Sequence, residues 1–130
     1  MNKKIKLLTI ALMASVSIAI AQTASPEWAE FMTFHTYMST TFHPAEEGDF
    51  APLKSKSDSL FVAAKKWQAS PIPANYKPAE TKAALAKLVK QCDEINKAVK
   101  KKATDKQLNT LITDAHDIFH TIVGECRKEE

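Results

Sequence analysis

The chain has 130 residues, 45% of them hydrophobic and 25% charged, with two glycines and a formal net charge of +3. That length and apolar content suit one domain around one core rather than a low-complexity or disordered chain. The positive excess equals the three lysines Lys3, Lys4 and Lys6 near the N-terminus, so the rest of the chain is balanced. Nucleic acid and anionic membranes thereby lose their electrostatic basis as ligands.

Met1 to Lys6 form a basic segment, followed by an apolar run, Leu7 to Ile20, that is short for a membrane span. Ala19-Ile20-Ala21 has the small-x-small form of a cleavage site, so residues 1–21 read as a signal peptide and 22–130 as the working domain. No cysteine stands at the cleavage point, so a lipid anchor is not expected. The expected location is periplasmic or secreted.

Helix one is predicted to open at Ser25-Pro26-Glu27, a cap followed by Pro and an acid, and to end before Pro44. Asp49 caps helix two, with Pro52 in its first turn, and the helix runs to about Ala69. Ser70-Pro71-Ile72-Pro73 reads as a stiff extended connector. Helix three runs from near Pro78 to about Lys101, where Lys97, Lys100, Lys101 and Lys102 favour the negative end of the helix dipole. Thr104-Asp105-Lys106-Gln107 is a capping-box pattern that opens helix four, expected to reach about Arg127.

Each helix carries an apolar stripe. On helix one it is Trp28, Phe31, Met32, His35, Met38 and Phe42, and on helix two Leu53, Leu60, Phe61, Ala64 and Trp67. Leu85, Leu88, Val89, Cys92, Ile95 and Val99 mark helix three; Leu108, Leu111, Ile112, Ala115, Phe119, Ile122 and Cys126 mark helix four. No helix can hide such a stripe alone, and four can close one core. The predicted fold is all-α, a single up-down-up-down antiparallel four-helix bundle. In that bundle Cys92 and Cys126 lie about 15 Å apart along the helix axes, too far for a disulfide. Both thiols read as small buried apolar residues, with Cys92 a minor candidate for a soft ligand.

The chemistry lies in the four histidines, His35, His43, His116 and His120. His116 and His120 stand i, i+4 apart, which puts both imidazoles on one side of a helix and within reach of one ion. Matching helices one and four end to end sets His35 level with about residues 116 to 118, so His35, His116 and His120 are predicted to converge, with Met32 beside them. His43 falls about two turns further along, next to the acidic turn Glu46, Glu47 and Asp49, whose part in the site the sequence leaves open. There is no nucleophile elbow, phosphate loop or CxxC pair, and no enzyme activity is expected.

The stretch Ala115-His116-Asp117-Ile118-Phe119-His120 near the end of a bundle of this length resembles the exported cytochrome b and cytochrome c-prime four-helix bundles, and their haem-less, histidine-bearing periplasmic relatives. The resemblance implies a last-helix ligand at His116 or His120 and, for a haem b, Met32 as the second axial ligand. The chain has no CxxCH, so covalent haem attachment is excluded. The expected function is binding of a transition metal, Cu or Zn, by histidines of helices one and four. The alternatives are a non-covalent haem b electron carrier and a cofactor-free structural or partner-binding bundle. Expected partners are a metal ion and, at most, a second copy of the chain.

Overall fold

The computed structural model describes residues 28–129. The signal peptide, its cleavage site and the Ser25-Pro26-Glu27 opening of helix one lie outside the described residues. Four helices follow in order: α1 Ala29–Glu46, α2 Ala51–Ala69, α3 Pro78–Lys100 and α4 Asp105–Gly124. Each packs on its chain neighbours, and α1 closes against α4 along the sparsest of the four seams. The all-α four-helix bundle is the fold the apolar stripes predict. No described helix is long and apolar enough to cross a membrane.

Helix α1 departs from expectation by running through Pro44 to Glu46. Proline's bias against helix before it is a preference, and a proline in the final turn removes only one backbone hydrogen bond. The helix stops two residues past Pro44, where Gly48 adopts φ 85. Gly48 N–H donates to the Ala45 carbonyl at 3.0 Å and Asp49 N–H to the Pro44 carbonyl at 2.9 Å, the paired bonds of a Schellman turn. Positive φ costs glycine nothing, which is why the turn sits there. Asp49 Oδ1 then accepts from Ala51 N–H at 3.0 Å and starts α2. The α3–α4 turn repeats the bonding with Lys102 at φ 56, and Thr104 and Gln107 close the predicted capping box.

Helix α4 ends at Gly124 rather than near Arg127, because the chain turns aside to pair with the α2–α3 connector. Lys77 N–H donates to the Cys126 carbonyl at 2.7 Å, and Tyr76 and Arg127 form an isolated antiparallel bridge. Cys126 therefore lies beyond the helix, buried like Cys92, and both thiols are unpaired. Burial pushes the Cys92 thiol up to about 12.

The core is aromatic at one end. Trp67, fully buried, meets Trp28, Phe31, Phe34 and Phe119, and Trp28 Nε1 donates to Ser70 Oγ at 2.8 Å. On α1 the buried residues are Phe34, Met38, Thr41, Phe42 and Ala45, so the stripe is centred on Phe34 and Met38. His35 and Met32 lie outside it, exposed, and Met32 retains 38% of its accessible surface. The remaining inward polar groups include Ser57 of α2, which donates to Asn96 Oδ1 of α3 at 3.0 Å. Asn96 Nδ2 in turn donates to Asp58 Oδ1 at 3.3 Å.

Candidate metal centre

Helix α4 presents His116 half-buried and His120 exposed, one turn apart. Their Nε2 atoms face each other at 3.1 Å. Two imidazole nitrogens at that separation, each ~2.0–2.1 Å from a common ion, would subtend about 100° at it, between tetragonal and tetrahedral angles. Without an ion the same contact requires one ring to donate from Nε2 and the other, neutral, to accept at Nε2. The pair is thus arranged either to share one proton or to share one cation.

His116 is held in place by Phe42, whose ring lies flat against it with centroids 3.7 Å apart and planes 12° apart. His116 is pulled below its ordinary 6.5, first by burial and then by the neighbouring His120 charge. Asp117 and Glu46 pull it up, and His43 pushes it down. Helix α1 therefore reaches His116 through its last turn, by way of Phe42, His43 and Glu46.

His35 goes elsewhere. Its ring lies parallel to those of Phe31 and Phe119, with centroids 5.9 and 5.6 Å away. Phe119 in turn neighbours the pair, its ring centroid 5.7 Å from that of His120 and 6.5 Å from that of His116. His35 thus meets the pair by way of an aromatic ring, an offset that level-matching of α carbons does not resolve. Side chains lean toward the N-terminus of their own helix, so on antiparallel neighbours they lean in opposite directions. On α4 the His116 ring leans toward the end where α1 finishes, while on α1 His35 leans the other way, toward Phe119. Met32, expected beside the site, stays on the outer surface of α1.

His43 is exposed, with Nδ1 3.0 Å from Glu46 Oε2 in the last turn of α1. Glu47 and Asp49 are exposed in the Schellman turn; Phe50 rather than Asp49 is the N-cap of α2, and Asp49 Oδ1 accepts from the Ala51 N–H just ahead of it. Among the described residues no three His, Cys, Asp or Glu side chains already stand as a group that could hold an ion. Two close approaches of ligand-type side chains stand near each other: His116–His120 at 3.1 Å on α4 and His43–Glu46 at 3.0 Å in the last turn of α1. Phe42 was legible as a core residue, and its role as a backing plate for His116 was not. The chain matches no family model, no curated protein and no solved structure.

Proposed function

We propose that this is an exported transition-metal-binding bundle, with Cu(II) or Zn(II) held on the α1–α4 flank by His116 and His120. The single observation that carries the reading is the 3.1 Å approach of the two Nε2 atoms on one rigid helix. Imidazole suits both ions, and intrinsic affinity favours Cu(II) where copper is present. Depression of the His116 pKa below 6.5 supports it further, because a ring that resists protonation keeps its lone pair for a cation. A haem draws less support, since Phe31, Phe34, Trp67 and Phe119 pack against one another where α1 meets α4, and Met32 lies on the surface.

The test is equilibrium binding of Cu(II) and Zn(II) to the purified protein and its variants. The His116→Ala, His120→Ala double variant should lose more than about 100-fold in affinity, beyond what loss of an outer-shell partner costs. His35→Ala should bind as the wild type does. Affinity should fall as pH drops through about 6.5, where imidazoles take up protons. Wild-type affinity in the double variant would sink the reading and leave a cofactor-free structural or partner-binding bundle.

A further inference from the structure

We infer that His43 is the α1 ligand of the ion held by His116 and His120, and that Glu46 is the positioning residue that aims it. This inference rests on the metal reading of the α4 pair and adds a donor to it. A carboxylate can only accept hydrogen bonds, so the 3.0 Å contact between His43 Nδ1 and Glu46 Oε2 fixes the ring proton on Nδ1. The lone pair is then on Nε2, the nitrogen free to meet a cation. A carboxylate on the far nitrogen of a ligating histidine also makes the ring a stronger donor, and metal sites use that arrangement widely.

The backbone makes this pairing possible. His43 and Glu46 stand i, i+3 on the last turn of α1, neighbours only because the helix continues through Pro44. A helix ending before Pro44 would have left Glu46 in a loop with no fixed relation to the ring. The Schellman turn at Gly48 then fixes where that last turn ends. His43 belongs to the same corner as the α4 pair: Phe42, its chain neighbour, stacks on His116 with centroids 3.7 Å apart, and the His43 ring lies 5.6 Å from that of Phe42. The side chains of His43 and Glu46 retain 65% and 51% of their exposure, so both can turn without unpacking the core. No three-donor group stands ready-made among the described residues, so the inferred site requires His43 to turn toward the α4 pair when the ion binds. The result is three neutral imidazoles from two helices, with Glu46 behind one of them and a position left for solvent.

The experiment measures Cu(II) and Zn(II) affinity by chelator competition, the Cu(II) electron paramagnetic resonance spectrum, and sedimentation of the loaded full-length mature protein. His43→Ala should lose tenfold or more in affinity, and its spectrum should report two nitrogen ligands where the wild type reports three. Glu46→Ala should lose about 10- to 100-fold while keeping the three-nitrogen spectrum, with Glu46→Gln intermediate. Glu46→Asp should recover part of the loss. Melting of the metal-free variants should match the wild type, which a merely structural role for these exposed side chains would not allow. The inference is overturned if His43→Ala keeps wild-type affinity and spectrum while the His116→Ala, His120→Ala variant has lost binding. It is also overturned if one ion sediments with two chains. Wild-type binding by that double variant would instead remove the metal reading itself.

Discussion

Two polar clusters sit between helices of this bundle, and they are built on opposite terms. Ser57, Asn96 and Asp58 join α2 to α3, with Ser57 and Asn96 buried and each bonded to a partner. His116 and His120 lie on one helix at the open flank of the sparsest seam, bonded chiefly to each other. A buried polar network stabilises register only when every member is satisfied, and it is costly to break. One half-buried and one exposed imidazole on an open flank have water as an alternative partner and give the fold less. Side chains that the fold does not need are those free to serve a ligand.

The comparison breaks most visibly at Asn96. Replacing it with Ala leaves the buried Ser57 hydroxyl without its acceptor and should cost about 2 kcal/mol. For a domain of this size that lowers the melting temperature by roughly 8–16 °C. Adding Ser57→Ala to Asn96→Leu removes both polar partners and should recover most of the loss. Thermal melts of the metal-free proteins check this, and metal affinity should be the same in all of them. A melting temperature unmoved by Asn96→Ala would show that the α2–α3 network is as dispensable as the α4 pair.

The second measurement uses pH. His116 titrates below its ordinary 6.5, through burial first and His120 second. The unfolded chain therefore takes up the proton at a higher pH than the folded one, and stability rises with pH between the two values. Stability from this group is fully present above about 7.5, declines as pH falls through 6.5, and levels off below the lowered folded value. His116→Gln removes the titration, so urea melts at pH 8, 6 and 5 should show a smaller loss on acidification than in the wild type. Equal losses would mean that His116 is as solvated as it is in the unfolded chain.

The outline of this fold was legible because its punctuation is local. Thr104 and Gln107 cap α4 with each other, Asp49 starts α2, and the stripes of α3 and α4 repeat at helical spacing. What the sequence hid is tertiary. Helix α1 carries aromatic or imidazole rings around much of its circumference, at Phe31, Phe34, His35, Tyr37 and Phe42, so its stripe has no unique phase and His35 was read inward. Buried Thr41, Ser57 and Asn96 escape a search for apolar spacing because their burial depends on hydrogen-bond partners. In the site, the α4 pair was legible from i, i+4 spacing alone. The stacking of Phe42 on His116 and the pairing of His43 with Glu46 were not, since they depend on side-chain lean and on a helix that continues through Pro44.

The smallest effect tests the other side of the comparison. His120 is exposed, and its Nε2 has His116 as its partner in the fold and water as a ready substitute. Ala at that position gains helix propensity by a few tenths of a kcal/mol, while the lost contact is one that solvent can replace. The metal-free His120→Ala protein should thus lie within about 0.5 kcal/mol of the wild type, a melting change of no more than ~4 °C in either direction. On the proposed reading the same substitution should weaken Cu(II) or Zn(II) binding strongly, because it removes one of the two imidazole nitrogens that stand 3.1 Å apart. A loss of more than about 1 kcal/mol in the metal-free protein would mark the imidazole pair as structural glue of the Ser57–Asn96 kind. Near-neutral stability with lost affinity would mean that the close approach of two unscreened rings is held by the helix for a ligand rather than for the fold.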